Sequence, residues 1–366
     1  MVNIQYFIDT FNQFPIVVQV VWCLIGVIFL CIVLLTIYLK IVRFYLRKKG
    51  DEIIEFKNQY EALLIEYLYS GEENGNINEA QESIIFRLKE CAQNNSKRKI
   101  IISMLYNLMN EVSGEMSGSI KKLYYRSGLI NFALQRLKNK NWYVIAKGIG
   151  ELRRFEIEET YRDVVKFIDH PRSEVRKETQ LYLVTLFRFE GLSFLDDLEA
   201  PISEWEQVQL LETLQKFDDQ QICDIKPWLN SVNDTVVLFA LKLAQIYNQF
   251  EVKDTLIELL SHQTKKIRVA VIEVLTHLYG IEAKEMLKAN FNELSLEEQL
   301  SFFGLLEKLV VPDDEPFVEE HLFHKNFEIQ LLALNIMKSI NLDKYMGLNK
   351  LPKSKKSSAM LKVNAL

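Results

Sequence analysis

The chain has 366 residues, room for one large domain or two to three ordinary ones, with 44 basic and 49 acidic residues for a formal net charge of −5. Five bases follow an apolar run near the N-terminus, five more lie in the last twenty residues, and Asp9 is the only acid in either region. Residues 50–346 therefore hold 34 bases against 48 acids, about −14, which argues against broad phosphate-backbone binding and against nucleic acid as a partner.

Residues 1–15 form a short segment without lysine or arginine, ahead of 24 uncharged residues from Ile16 to Leu39. As a helix rising about 1.5 Å per residue, residues 16–39 span about 36 Å, enough for a bilayer core of about 30 Å. Pro15 stands where a helix can start, and Trp22 and Tyr38 lie toward the two ends, where amphipathic aromatics meet a membrane interface. A cleavable signal would need a basic start, a shorter apolar core and a small-residue cleavage site. A retained transmembrane anchor is predicted instead. Lys40, Arg43, Arg47, Lys48 and Lys49 follow it, so the positive-inside rule puts the rest of the chain in the cytoplasm (at the inner membrane, for a bacterial chain) and the N-terminus outside. The same five charges are expected to touch anionic lipid.

Residues 40–78 are predicted as a basic juxtamembrane stalk ending in the polar hinge "SGEENGNIN". From 79 to 139, "EAQESIIFRLKECAQ", "SKRKIIISMLYNLMNEV" and "SGLINFALQRLK" are amphipathic at 3.6-residue spacing. No segment alternates as a strand would, and 13 glycines and 7 prolines are few for a turn-rich β architecture.

Residues 140–346 repeat. Val144, Val175, Val236, Ile267 and Ile329 open similar helices at intervals of 31 residues or about twice that. Four residues on come Gly148, Thr179, Ala240, Val271 and Ala333, small or β-branched; eight on come Leu152, Leu183, Ala244, Leu275 and Met337, all apolar. Positions i, i+4 and i+8 share a helix face, and the small middle residue lets a neighbouring helix approach. Two weaker units fill the gaps, "SEWEQVQLLETLQKF" near 206 and "SLEEQLSFFGLLEKL" near 298. Shorter amphipathic segments such as "ETYRDVVKFIDH" and "EVKDTLIELLSH" lie between. Each repeat thus reads as a helical hairpin that must stack on its neighbours to bury its apolar face. Residues 347–366 are basic, lack apolar periodicity and read as a disordered tail.

"YRDVVKFIDHPRSEVRKETQLYLVTL" resembles a HEAT repeat, with Asp169, Pro171, Val175 and Arg176 at the motif positions; "KKIRVAVIEVL" repeats the apolar–Arg pair at Ile267 and Arg268. Val237 and Gln330 depart from it. The resemblance implies an all-α chain: a single N-terminal transmembrane helix followed by a HEAT-like α-solenoid of helical hairpins. It further implies a scaffold whose second helices bind and position or regulate a protein partner at the cytoplasmic membrane face. Such a partner would be an integral-membrane glycosyltransferase or a signalling protein. Some HEAT-like proteins are enzymes, pigment lyases and DNA glycosylases among them, so a lyase-like or ligand-binding chain is the alternative.

No catalytic constellation is legible, and no cofactor, metal or enzyme activity is expected. "EEHLFH" brings His321 and His324 together without the HExxH pattern. His170, His262 and His277 are isolated, and "KGIGELRR" lacks the strand and GK[ST] of a phosphate loop. Cys23 and Cys31 lie in the apolar run, and Cys91 and Cys223 are far apart, which suits a reducing compartment.

Overall fold

The computed structural model describes residues 15–70, 78–112, 114–217 and 223–349. The N-terminal segment before Pro15, most of the predicted hinge and the basic tail from Lys350 lie outside the described residues. Every element is helical, with no strand among the described residues. The chain divides into two compact units, Met1–Asn131 and Phe132–Leu366, where the sequence suggested a boundary at 139/140.

The first unit opens with α1 (Ile16–Tyr69), 54 residues without a break. Its first part is apolar and exposed on every side, with Ile16 at 78% and Phe29 at 67%. It is long and apolar enough to cross a membrane. Farther along, Tyr60, Leu64 and Tyr67 are buried at i, i+4 and i+7 spacing, against α2 (Glu79–Ala92), α3 (Asn95–Glu111) and α4 (Glu115–Arg126). The predicted stalk is therefore the same helix as the apolar run, and its end is core. Only about 16 Å of helix separates Lys49 from Tyr60 at 1.5 Å per residue. Asn78 caps α2 by accepting from the Gln81 N–H at 2.8 Å, and the Gln81 amide donates to the Tyr67 carbonyl at 2.9 Å, tying α1 to α2.

α5 (Leu129–Leu137) leads into the second unit. Its elements are α6 (Trp142–Arg154), α7 (Tyr161–Val164), α8 (Ser173–Phe187), α9 (Glu204–Leu214), α10 (Lys226–Leu229), α11 (Asp234–Ile246), α12 (Lys253–Leu259), α13 (Lys265–His277), α14 (Lys284–Ala289), α15 (Leu296–Lys308), α16 (Glu315–Glu320), α17 (Phe327–Ile340) and α18 (Leu342–Asn349), with 3₁₀ turns between many of them. The long helices pack in succession: α6 on α8, α8 on α9, then α11 on α13, α13 on α15 and α15 on α17. One hydrophobic core runs from Leu181 to Met337.

The five repeat-opening residues are each the third residue of a helix, in α6, α8, α11, α13 and α17. Val175, Val236, Ile267 and Ile329 are fully buried, whereas Val144 is half-buried and Ile145 takes the interior position. The seventh and eleventh residues of the same helices are buried throughout. Gly148 is packed so closely that a Cβ would sit 3.0 Å from Arg136 Cβ and 3.1 Å from the Ala133 carbonyl oxygen.

The two weaker units are in the same register, with Glu206 and Glu298 as third residues of α9 and α15. Both are capping boxes: Ser203 and Ser295 accept from the glutamate N–H, and each glutamate accepts the serine N–H at 2.8 Å. A carboxylate that closes the helix start takes the place of an apolar anchor.

The turns repeat as well. Five residues before each opening residue, Asn139, His170, Ser231, His262 and His324 each accept a backbone N–H two residues on, at 2.8–3.2 Å. One residue after, Arg176 donates to the His170 carbonyl at 2.9 Å and Arg268 to that of His262 at 2.7 Å. Gln330 makes the equivalent bond to His324, so a departure from the arginine pattern keeps its hydrogen bond. Asp169 and Pro171 are exposed at their turn.

The 3₁₀ segment Glu190–Leu195 folds directly onto α8, and a Cβ at Gly191 would lie 2.3 Å from the Leu183 carbonyl oxygen. Gly191→Ala should destabilise the second unit by about 3 kcal/mol, because backbone must move. Gly304→Ala, in α15 with nothing within 4 Å of its new methyl, should stabilise by about 0.5–1 kcal/mol. Urea unfolding of the two variants checks the opposite signs.

Candidate functional site

Lys40, Arg43, Arg47, Lys48 and Lys49 are all exposed on α1, and no carboxylate pairs with them among the described residues. Val144, Gly148, Val175, Val236, Ala240, Ile267, Ile329 and Ala333 are committed to packing, and Arg176 and Arg268 to closing turns.

The chemically interesting side chains are largely used internally. His321 Nδ1 pairs with the Phe317 carbonyl at 2.7 Å, and its ring lies 4.4 Å from Phe317 and 4.5 Å from Phe291. His324 accepts a turn N–H, and burial followed by the neighbouring His321 depresses its pKa. No group of metal-ligating side chains assembles among the described residues. Burial pushes the Cys223 thiol up to about 11, away from thiolate reactivity.

One buried ion cluster crosses repeats. Asp314, fully buried, accepts from Lys284 Nζ on Oδ2 and pairs with Lys288 Nζ through Oδ1, both at 2.6 Å. Lys284 also donates to the Leu309 carbonyl at 3.0 Å. Burial alone would raise the Asp314 pKa, but hydrogen bonds from Lys284 and the Val311 N–H and the ion pair with Lys288 outweigh it and hold it below the usual value. Glu298 is likewise raised by burial and brought below its usual value by Arg268 and Ser295.

Two further features lie at the surface of the second unit, the first of them partly packed against the core through Leu238, Leu300 and Leu331. The first is a row of aliphatic residues at the fifth position of five long helices: Val208, Leu238, Val269, Leu300 and Leu331 on α9, α11, α13, α15 and α17. Val208 is 37% exposed and the other four are half-buried. Lys177 holds the position in α8, so the row ends there. Four residues on, Glu212 and Glu273 are exposed, while Lys242 reaches Gln207 at 2.9 Å. At the first turns Lys266 reaches past α11 to Glu204 on α9 at 2.6 Å, and Lys265 pairs with Glu297 at 3.0 Å. These ends of the helices are drawn together. The 31-residue register that locates the buried anchors also locates this row, two residues farther on, so its signal is present in the sequence.

The second feature is a cleft of about 540 Å³ lined by Glu158, Glu159, Tyr161, Leu183, Phe187, Glu190, Gly191 and Ser193. Tyr161 and Phe187 meet edge to face with centroids 5.3 Å apart.

No family model matches the chain, and no curated protein matches it. Among solved structures, the crystal structure of an engineered protein is similar over 77% of this chain and 88% of its own, at 14% identity and a TM-score of 0.35. The class of protein rests on its own structure: an all-helical chain led by one helix long and apolar enough to cross a membrane.

Asp314→Asn should cost about 3–5 kcal/mol at neutral pH, since two lysines lose their buried counter-charge. With folded pKa values depressed, Asp314 and Glu298 stabilise fully above the ordinary carboxylate range near 4, and that contribution is lost as pH falls through their lower folded values. Urea midpoints from pH 7 down to 3 should fall steeply in the parent chain and less steeply in Asp314→Asn.

Proposed function

We propose that this chain is a membrane-tethered scaffold whose second unit, a HEAT-like solenoid, docks and positions or regulates an integral-membrane protein. The reading rests chiefly on the aliphatic row Val208, Leu238, Val269, Leu300 and Leu331. Apolar residues held at one register over five successive helices, between exposed charges, form an extended strip of modest contacts, which is how helical-repeat surfaces build affinity. The ion pair from Lys266 to Glu204, skipping one helix, supports curvature of this surface.

The exposed apolar part of α1 supports membrane attachment. The five bases after it support a cytoplasmic position for the folded units and contact with anionic lipid. Because α1 continues unbroken into the core of the first unit, that unit stands near the membrane at a defined distance. A polysaccharide-synthesising glycosyltransferase or a membrane signalling protein fits the partner role.

Crosslinked pull-down from mildly solubilised membranes tests the docking. One recurrent membrane protein should be recovered with the full chain. It should be lost with Val208→Asp/Val269→Asp, whose melting temperature should stay close to the parent's, and weakened on removal of residues 1–49. Equal recovery with the double variant would sink the assignment of the row. Topology has its own check: protease added outside right-side-out vesicles should leave residues 50–349 intact and digest them only after lysis.

A further inference from the structure

The cleft beside α8 lies apart from the aliphatic row in residues and in chemistry. Its wall is built by two segments that follow long helices. The 3₁₀ turn Glu158–Thr160 and the start of α7 supply Glu158, Glu159 and Tyr161; the 3₁₀ segment Glu190–Leu195 supplies Glu190, Gly191 and Ser193. Its floor is Leu183 and Phe187 of α8. Gly191 lets the second segment sit against the Leu183 backbone, where any side chain would collide. The cleft is thus a shaped space with a rigid apolar floor.

Its volume of about 540 Å³ falls within the roughly 300–1,000 Å³ of sites that take a small molecule, which is room for a side chain or two of a peptide rather than for the whole segment. The Tyr161–Phe187 pair offers aromatic surface, and Tyr161 is 42% exposed. Glu158, Glu159 and Glu190 are exposed and pair with no cation among the described residues. Arg188, the nearest base in sequence to Glu190, lies over the Phe217 ring at 4.9 Å. Nearby, buried Tyr182 donates to the Ile157 carbonyl at 2.6 Å. Burial first, and then Glu159, Glu158 and Asp163, push its pKa up to about 12 against the lowering effect of Thr160.

Aromatic faces and unpaired carboxylates around one cavity are complementary to organic cations, which gain from both the ring quadrupole and the charge. An anionic ligand would meet repulsion, and a neutral apolar one would leave the carboxylates facing it. We propose that this cleft binds a basic peptide segment of a partner protein, seating a lysine or arginine side chain against Tyr161 and Phe187 with Glu158, Glu159 and Glu190 around it. Such a segment would fall beside a membrane on the side where basic juxtamembrane stretches concentrate.

The test uses the full chain in an uncharged detergent and a fluorescein-labelled nonapeptide of alternating lysine and glycine, followed by anisotropy. Saturable binding is expected, with no binding of the glutamate–glycine counterpart. Glu158→Gln/Glu159→Gln/Glu190→Gln should weaken it by about tenfold, the sum of three modest ion pairs. Tyr161→Ala should weaken it by about threefold through loss of cation–π contact, with the salt dependence unchanged. Glu251→Gln/Glu258→Gln/Glu282→Gln removes the same charge from exposed sites elsewhere and should bind as the parent does. Thermal melts confirm that all variants are folded. Absence of saturable binding, equal loss in the two triple variants, or parental affinity in Tyr161→Ala overturns the proposal. The titration needs no membrane partner, so its failure is separable from failure of the docking assigned to the aliphatic row.

Discussion

The seventh and eleventh residues of the long helices in the second unit, and the third in α8, α11, α13, α15 and α17, are buried only because other helices lie against them. Burying one such side chain is worth roughly 1.5–3 kcal/mol, while ordering each residue's backbone costs about 1–2 kcal/mol. A single hairpin with three such positions cannot offset its own ordering. Packing of α6 on α8, α8 on α9, α11 on α13, α13 on α15 and α15 on α17 supplies that cover, and a continuous core from Leu181 to Met337 is the result. The constraint also explains why the middle position is small in α6, α11 and α17: Gly148, Ala240 and Ala333 leave room for close helix approach.

Many polar groups in this arrangement hold the register. Each connection between hairpins must satisfy N–H and carbonyl groups that helix ends leave open. The chain does this with side chains at repeated positions, five residues before the anchor and one after it. Where the anchor is a glutamate, the capping box performs the same task from inside the helix. The Asp314 cluster extends this logic to a buried charge, held ionised by two lysines. His170, His262 and His324 are used in turns, and His321 lies among Phe291, Phe303 and Phe317.

The same repetition also shapes the surface. A row of aliphatic side chains two residues past each anchor, and a cleft between segments that follow two long helices, are by-products of the same periodicity. Repetition brings equivalent positions into line, so one modest residue per helix becomes an extended strip. The segments around Glu158 and Glu190, each following a long helix, line a cavity. A continuous α1 adds a second constraint, because the first folded unit is built directly onto the helix that carries the apolar run.

The sequence by itself determined the helical class, the apolar span of α1 and the repeat register, because periodicity of 3.6 residues, an uncharged run and a 31-residue spacing are all local properties of the chain. It located the buried positions to within one residue, missing only that Ile145 rather than Val144 turns inward. The tertiary structure alone decided which side chains meet: that α1 runs on to Tyr69 and supplies core to the first unit, that Asp314 lies between Lys284 and Lys288, and that Glu158, Tyr161, Phe187 and Glu190 enclose one space. These pairings join residues about 30 positions apart across a repeat, or across a turn of unspecified direction. Their proximity depends on how helices stack, which no local spacing encodes.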